Sequence, residues 1–268
     1  MAVLTLLTDF GTADYYVAAV KGVLLQEAPD ATLVDISHEV RPGDVATAAY
    51  VLGAAAPWFP AGTVHLAVVD PGVGSDRRLL AADVGSARFV APDNGLLTPF
   101  FGPDTTLRSV TRTELFRQSP GATFHGRDRF APIAAWLAAG GNFASLGPEV
   151  SDPVRLEQPA LRRQADRITG KVVHIDRFGN LITDIPADWL PEESTCRARL
   201  GSHSTALRVR WYQEIPEGET AMLRGSTGTL ELAARGEPLA TRWSTQRGDA
   251  VVVSWSPPSV PLVLLTAK

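Results

Sequence analysis

Two patterns of hydrophobic residues divide the chain into halves of different character. The first half alternates short apolar runs with stretches whose apolar residues lie at helical spacing. The second half carries short alternating segments that are separated by turn residues. Short apolar runs predict buried strands, and apolar positions three or four residues apart predict helices. The sequence therefore predicts an α/β layer followed by a domain made almost entirely of strands.

The first half predicts a central sheet that is largely parallel. Its first segment, Val3–Thr8, is a continuous apolar run suited to a strand buried on both faces. Strand and helix signals then follow each other in turn, which is typical of α/β folds. The predicted strands are residues 3–8, 32–35, 64–69, 89–91 and 107–110, and the predicted helices are residues 15–26, 44–56 and 130–139.

The second half predicts a small antiparallel β-domain. A polar stretch over residues 151–167, with two prolines and several arginines, is typical of a connector. We predict an α/β domain over residues 1–150, a linker over 151–168 and the β-domain over 169–268. The predicted strands are residues 171–175, 181–185, 207–211, 221–223, 229–233 and 250–253.

Composition excludes several classes of protein. The 268 residues are 45% hydrophobic, which is enough to build a core. A net charge of -4 with scattered basic residues argues against a nucleic-acid partner. Apolar stretches such as residues 260–266 are too short to span a membrane, and the N-terminus predicts a strand rather than a signal peptide. The single cysteine, Cys196, excludes an internal disulfide. The sequence has no Cys or His pairs at close spacing, which disfavours a structural zinc site. Both observations fit a cytoplasmic protein.

Five polar clusters lie where predicted strands end or a helix begins. In α/β proteins such positions bind ligands, because side chains and helix N-termini converge there. Asp, Asn, Gly and Pro are also the usual residues of turns and caps, so a single cluster decides nothing. The glycines at 72 and 74 lack the spacing of a nucleotide-binding loop. The clusters are residues 8–11, 35–38, 70–78, 91–95 and 123–128.

Taken in order, these clusters resemble the S-adenosyl-L-methionine (SAM) hydroxide adenosyltransferase family, whose relatives include the bacterial fluorinase and chlorinase. The resemblance runs through nearly the whole chain, and its specificity comes from the ordered set. The motifs are Thr8-Asp9-Phe10-Gly11 with Tyr16-Val17 and Lys21-Gly22, Asp35-Ile36-Ser37-His38, residues 68–74 with Arg77, residues 91–97, Phe124-His125-Gly126-Arg127-Asp128, and Asp176-Arg177-Phe178-Gly179-Asn180.

The resemblance implies a fold, an assembly and a reaction. It implies a catalytic, SAM-binding α/β domain and a β-barrel-like C-terminal domain. The substrate would lie between the first domain of one subunit and the second domain of its neighbour in a homotrimer. Water would split SAM into adenosine and L-methionine by displacement at the ribose 5′ carbon. The sulfonium is already a good leaving group, so neither a metal nor a cofactor is expected.

The resemblance also assigns residues. The catalytic set falls on Asp70, Arg77 and His125, and the ribose-binding carboxylate falls on Asp9. The other substrate-binding positions are Phe10, Asp93, Asn94, Asp176, Phe178, Asn180 and Ser226.

The chemistry of the catalytic set can be argued from the residues themselves. Arg77 follows Asp70 across a glycine turn, so its guanidinium could fold back and orient the carboxylate. Asp70 and His125 are both candidates to take the proton of the attacking water, and the sequence leaves the choice open. The alternative is a salt bridge between Asp70 and Arg77 that merely fixes the loop.

Two further interpretations concern binding. Asp9 could accept hydrogen bonds from both ribose hydroxyls, or it could cap the helix that begins near Asp14. Phe178 and Trp58 are candidates to stack on adenine, although aromatic residues are more often part of a core. The chain departs from the resemblance at Asp184 and Gly225, where relatives commonly carry Asn, which bears on substrate affinity.

Other functions stay open at this point. A halogenase would need a pocket for an anion, and a carboxylate repels a halide by about 4 kcal/mol at ~4 Å and an effective dielectric constant of ~20. The known halogenases lack the acidic pattern of Asp70, and the fluorinase carries an insertion between the positions of Arg77 and Ala91. A non-catalytic SAM or adenosine sensor would keep the pocket without turnover. A methyltransferase would need a glycine-rich first loop, which the chain lacks after its first strand.

Overall fold

The computed structural model describes residues 2–157, 161–191 and 195–255. The chain divides into two compact units, Met1–Glu157 and Gln158–Lys268. Each unit has a hydrophobic core of its own. Residues 158–160 of the predicted linker and the apolar stretch 260–266 lie outside the described residues. No helix among the described residues is long and apolar enough to cross a membrane.

The first unit is built on a mostly parallel sheet. Its strands are β1 (Val3–Thr8), β2 (Thr32–Ser37), β3 (Thr63–Val68), β4 (Leu79–Asp83), β5 (Ala87–Pro92) and β6 (Thr106–Ser109). Their order across the sheet, within the described residues, is β2-β1-β3-β5-β4-β6. The pairs β1–β2, β1–β3 and β3–β5 are parallel, while β4 runs antiparallel to both of its neighbours. The prediction of a largely parallel sheet is confirmed.

Helices cover both faces of this sheet. They are α1 (Tyr16–Glu27), α2 (Val45–Ala55) and α3 (Ala131–Ala138). Leu6 of β1 packs in the core that α1 and α3 cover, whereas its neighbour Leu7 packs in the core that α2 covers. Both side chains are fully buried. This alternation explains why β1 is apolar at successive positions rather than at every second one.

The second unit is an antiparallel sheet that curls towards a barrel. Its elements are β7 (Arg162–Arg163), β8 (Arg167–Ile175), β9 (Leu181–Pro186), β10 (Cys196–Leu200), β11 (His203–Thr205), β12 (Thr220–Arg224), β13 (Thr229–Ala234), the short helix α4 (Leu239–Arg242) and β14 (Ala250–Trp255). The strand order among the described residues is β11-β10-β14-β8-β9-β13-β12, with β7 beside β8. Thr205 Oγ1 donates to Thr220 O at 2.6 Å. This bond joins the strands at the two ends of the order, so the predicted barrel-like domain is confirmed.

One predicted strand is wrong. Residues 207–211 alternate polar and apolar side chains, but the structure places only an isolated bridge there, between Arg208 and Met222. Trp211 is exposed. The segment runs beside β12 only where Val209 N–H donates to Met222 O and Met222 N–H donates to Leu207 O, and it then diverges from the strand. Val209 alone in this segment is half-buried and the other four residues are exposed, so the alternation does not reflect a full ladder.

Candidate active site

The carboxyl ends of β1 and β3 open into a cavity of about 600 Å³ in the first unit. The two strands are parallel neighbours, and Thr8 lies opposite Val68. Asp9 and Asp70, which follow these strands, therefore emerge side by side. Both line the cavity, and so does His125. The site lies at the sheet edge where open α/β sheets bind ligands.

A glycine turn folds Arg77 back onto Asp70. Ser75 N–H donates to Gly72 O at 3.1 Å, and Gly74 has φ +87, a conformation that favours glycine. Arg77 Nε then lies 2.7 Å from Asp70 Oδ1 and 2.8 Å from Oδ2, and Arg77 Nη2 also donates to Oδ2. Both side chains are nearly buried. The guanidinium therefore fixes the direction of the carboxylate.

His125 completes the group from a separate loop. It immediately precedes a π-helical turn, Gly126–Phe130, and is only 4% exposed. Arg77 Nη2 lies 3.0 Å from His125 Nδ1. Burial and the nearby charges of Arg129 and Arg77 lower the pKa of His125, against the opposing influence of Asp70 and Asp128. The imidazole is therefore neutral at neutral pH.

The arginine also decides which nitrogen of His125 carries the proton. A guanidinium can only donate hydrogen bonds, so His125 Nδ1 must be the acceptor. In a neutral imidazole one nitrogen accepts and the other donates. The proton consequently lies on Nε2, which is left as a hydrogen-bond donor.

Asp9 reaches the same cavity from the end of β1. Its Oδ2 accepts from the backbone N–H of Gly43 at 2.8 Å. Burial raises the pKa of Asp9, the Gly43 bond lowers it, and the charge of Asp70 raises it further. The helix cap of α1 is Tyr15, which makes no side-chain capping bond. The interpretation of Asp9 as the cap of this helix is therefore wrong.

Aromatic side chains form one wall of the cavity. Phe10 was expected from the sequence, but Tyr15, Tyr16 and Phe124 were not singled out as binding residues. Tyr16 and Phe124 stand inside the motifs of the resemblance, and the aromatic pair at 15 and 16 follows Asp9 closely. That concentration of aromatic residues beside a predicted ligand loop is the signal that could have identified them.

Two predicted binding residues have their polar atoms engaged within the first unit. Asp93 accepts from Arg78 Nε at 2.7 Å and from Val154 N–H at 2.8 Å. Asn94 Nδ2 donates to Val69 O at 2.8 Å, which secures the backbone just before Asp70. Neither lines the cavity described above. Their contact with substrate stays a prediction.

The binding residues predicted in the second unit lie on two turns. Asp176 Oδ1 accepts from Phe178 N–H at 2.9 Å and from Asn180 N–H at 2.8 Å, so the acid holds this turn together. The Phe178 ring is 76% exposed, and Asn180 is buried. Ser226 is exposed on the turn between β12 and β13. Their roles towards substrate stay predictions, as does adenine stacking by the exposed Trp58.

Asp184 and Gly225, the two positions at which the chain departs from the resemblance, both lie close to groups that constrain them. Asp184 Oδ1 accepts from Lys171 N–H at 2.7 Å, and burial raises the pKa of Asp184. A Cβ at Gly225 would lie 2.9 Å from Glu231 Oε2. Glu231 is buried and bound through Oε1 to the Tyr212 hydroxyl at 2.6 Å. Any side chain at position 225 would therefore have to displace this carboxylate.

Family models match both units. Residues 4–147 match the SAM hydroxide adenosyltransferase N-terminal domain, and residues 170–252 match the SAM hydroxide adenosyltransferase C-terminal domain. The chain belongs to the SAM hydroxide adenosyltransferase family. Within the described residues of this family member, no three His, Cys, Asp or Glu side chains come together as a metal-binding group would require.

Named relatives match most of the length of this chain. The (R)-S-adenosyl-L-methionine hydrolase of Salinispora arenicola is 39% identical over 253 residues, which cover 92% of this chain and 95% of the relative. The protein of the same name from Thermus thermophilus is 41% identical, covering 85% of this chain and 89% of its own. The fluorinase of Nocardia brasiliensis is 29% identical, covering 94% and 96%. The chain is thus more similar to these hydrolases than to that fluorinase.

Solved structures agree with the family assignment. A conserved protein of Thermotoga maritima superimposes with a TM-score of 0.85 at 32% identity, covering 93% of this chain and 99% of that one. A conserved hypothetical protein of Thermus thermophilus gives a TM-score of 0.76 at 37% identity, covering 96% and 100%.

Proposed function

We propose that the chain hydrolyses SAM to adenosine and L-methionine by attack of water at the ribose 5′ carbon. The observation that carries the proposal is the linked group of Asp70, Arg77 and His125 at one cavity with Asp9. The names of the similar hydrolases support the same reaction. Together they favour an enzyme over a sensor, because a binding protein has no use for a buried, hydrogen-bonded acid and imidazole.

The reaction balances without an added reagent. The water oxygen forms a bond to the 5′ carbon while the bond from that carbon to sulfur breaks. The sulfur keeps the electron pair and leaves as the neutral thioether of methionine. One proton must leave the oxygen to give the 5′ hydroxyl of adenosine. Holding water, carbon and sulfur in line at near-attack distance is the main task of the protein.

Asp70 takes this proton, and His125 holds the water. The Nε2–H of His125 can donate to the water oxygen but cannot accept its proton. The Asp70 carboxylate keeps lone pairs beyond those that Arg77 uses. Carboxylates are weak bases, but an oxygen that has begun to bond to carbon is strongly acidic. Transfer to Asp70 is therefore favourable late in the attack.

Asp9 binds the ribose. Its Oδ2 already accepts from Gly43 N–H, so the second oxygen and the remaining lone pairs can receive the vicinal hydroxyls. Its position at the end of β1, beside Asp70, would direct the 5′ carbon towards the catalytic pair. Phe10 lines the same cavity and belongs to the proposed substrate surface, while Asp93 and Asn94, which do not line it, stay predicted substrate-binding residues.

The remaining parts of the proposal concern assembly and surroundings. The enzyme acts as a cytoplasmic homotrimer, without metal or cofactor and without a nucleic-acid partner. The second unit of a neighbouring subunit supplies the contacts to the amino acid and the base of SAM. This arrangement rests on the resemblance of the sequence motifs to the family. The residues concerned are Asp176, Phe178, Asn180 and Ser226.

A time course with SAM tests the proposed reaction. We expect adenosine and methionine to appear in equal amounts, and the Asp70→Asn variant to lose at least about a hundredfold in kcat while SAM still binds. The wild-type protein binding SAM without release of adenosine would indicate a sensor. A second arm contains high chloride, and formation of 5′-chloro-5′-deoxyadenosine there would indicate a halogenase.

A further inference from the structure

Three rings on the cavity wall have no part in the proposed proton transfer. Phe10, Tyr16 and Phe124, here called the aromatic corner, all line the cavity. Their ring centroids lie 6.1 Å apart for Phe10 and Tyr16, 5.8 Å for Phe10 and Phe124, and 5.2 Å for Tyr16 and Phe124. Tyr16 keeps 38% of its surface exposed although it is a large aromatic residue. We therefore ask which part of a bound ligand these three rings contact.

The ring planes of the aromatic corner are steeply inclined to one another. The interplanar angles are 57° between Phe10 and Tyr16, 73° between Phe10 and Phe124, and 88° between Tyr16 and Phe124. A flat base needs a ring parallel to it or a slot between two parallel rings. Rings that touch one another at steep angles instead present a corner, and a compact group can contact that corner from outside. Among these three rings no two are parallel, so the aromatic corner itself fits a small rounded group better than a flat base.

The aromatic corner lies directly beside the catalytic group. A Cβ on Gly126, the residue after His125, would stand 3.0 Å from Phe10 Cζ and 3.4 Å from Phe124 Cε2. Glycine at this position therefore allows both rings to pack against the backbone next to the imidazole. In an in-line attack the sulfur lies one bond beyond the 5′ carbon, on the side away from the water. The sulfur then lies within about 5 Å of the attacking water, which leaves it within reach of rings that pack beside His125.

Charge favours a cation at this wall. Asp9 and Asp70 place carboxylates on the same cavity. Arg127 covers one face of the Phe124 ring, with its guanidinium carbon 4.9 Å from the ring centre, but its charge is balanced by Asp128, whose Oδ1 lies 2.6 Å from Arg127 Nε. Aromatic faces attract cations through the ring quadrupole, most strongly where water is excluded. A compact onium group is the ligand that satisfies both the rings and the acids.

We propose that the aromatic corner binds the methylsulfonium group of SAM, an inference that rests on the proposed function. The attraction depends on the positive charge, which disappears as the carbon–sulfur bond breaks. It stabilises bound substrate more than the transition state, and therefore lowers KM without raising kcat. The same loss of attraction weakens the hold on the methionine product.

Two nonreacting ligands isolate this contribution. S-adenosyl-L-homocysteine carries a neutral thioether, whereas sinefungin carries a cationic amine at nearly the same place. We measure the dissociation constant of each by calorimetry and compare their ratio in wild type, Tyr16→Phe, Tyr16→Leu and Phe10→Leu. Wild type should prefer the cation, and Tyr16→Phe should keep that preference because it keeps the ring. Each Leu variant should lose about fivefold of this preference for the cation, and it should raise the KM for SAM without lowering kcat.

An equal loss of affinity for both ligands in the Leu variants would overturn the proposal, because the rings would then act through packing alone. Equal affinity of the wild-type protein for the two ligands would overturn it as well. Tyr16 is partly exposed, and Phe10→Leu supplies a second variant should one of them fold poorly. Release of adenosine from SAM by the wild-type protein is scored separately. Its absence would contradict the proposed function, whatever the ligand ratio.

Discussion

At the scale of single residues, His125 distinguishes two ways of handling the proton of water. If Nε2 donates a hydrogen bond, an amide N–H can replace it, but if Nε2 accepts a proton, an amide cannot. We expect His125→Gln to keep kcat within about tenfold of wild type and His125→Ala to lose at least about a hundredfold. Steady-state rates at saturating SAM measure both.

Equal losses of kcat in the two His125 variants would contradict the assignment of Asp70 as the proton acceptor and would indicate that the imidazole is the base. The Asp70→Asn variant provides the comparison, since its amide cannot accept the proton either. It should be less active than His125→Gln.

The pH dependence of the reaction follows from the same residue. Because burial and the nearby charges of Arg129 and Arg77 lower the pKa of His125, the neutral form of the ring still predominates at the ordinary pKa of histidine. Protonation would place N–H groups on both ring nitrogens, one of them facing Arg77. We therefore expect kcat/KM to stay level as the pH falls to about 6.5 and to drop only in more acidic buffer. A fall in kcat/KM centred above pH ~6.5 would argue against a lowered pKa for His125.

How far the sequence anticipates this site depends on distance along the chain. Asp70 and Arg77 could be paired because a glycine turn separates them, and that contact is present. The contact of Arg77 with His125 spans 48 residues and depends on how the strands are ordered. The orientation of the imidazole, and with it the position of its proton, follows from this contact. No local pattern contains that information.

At the scale of secondary-structure elements, a buried histidine in β3 links stability to pH. His65 stacks on Phe89, with ring centroids 4.7 Å apart, and its Nδ1 lies 2.7 Å from Thr5 Oγ1. Burial lowers the pKa of His65 to about 4. Between that value and the ordinary pKa near ~6.5, the unfolded chain binds a proton that the folded chain does not. Stability contributed by the neutral ring is therefore lost as the pH falls.

We expect His65 to remove about 2 kcal/mol from the free energy of unfolding between pH ~7.5 and pH ~5. Urea unfolding at the two pH values measures this difference. His65→Gln keeps a polar partner for Thr5 but does not titrate, so the change with pH should shrink by that amount. The same pH dependence in both proteins would show that other groups cause it.

Asp184 tests whether a departure from the resemblance affects binding or only the β8–β9 ladder. Its carboxylate accepts from the Lys171 backbone, and burial raises its pKa, so the charged form is less favoured than it is in water. Asn can accept the same bond without the charge. Asp184→Asn should leave the KM for SAM unchanged and raise the melting temperature slightly. A change in KM of about tenfold or more would place this residue in the binding site.

The pattern of elements shows where sequence-based prediction works. The sequence predicts the bounds of β1 and β3 to within one residue, because a short, continuous apolar run indicates a strand that is buried on both faces. The strand β4 was not predicted, since Leu79–Asp83 is short and contains two alanines. Residues 207–211 alternate like a strand but find a partner at a single bridge. The periodicity of a segment indicates its preference for an extended conformation. Whether it forms a ladder depends on which strand the fold places next to it.

At the scale of the whole molecule, the proposed trimer makes a distinctive prediction about mixed assemblies. Asp70→Asn impairs the first unit, and Asp176→Asn is designed to impair the second. If each active site uses units from two subunits, reassembled mixtures of the two inactive variants contain some sites with neither substitution. We expect such mixtures to recover about a quarter of the wild-type activity per site.

Sedimentation confirms the mass of the mixed assembly, and each variant reassembled alone serves as the control. Absence of any recovery in mixtures that do contain both chains would mean that each subunit builds its site alone.

The central claim is that solvent water, held by His125 and relieved of its proton by Asp70, attacks the 5′ carbon. Incubation with SAM in oxygen-18 water, followed by mass spectrometry of the adenosine, tests it most directly. The account predicts one heavy oxygen in the 5′ hydroxyl group of each adenosine formed and none in methionine. Unlabelled adenosine, or label in methionine instead, would contradict it.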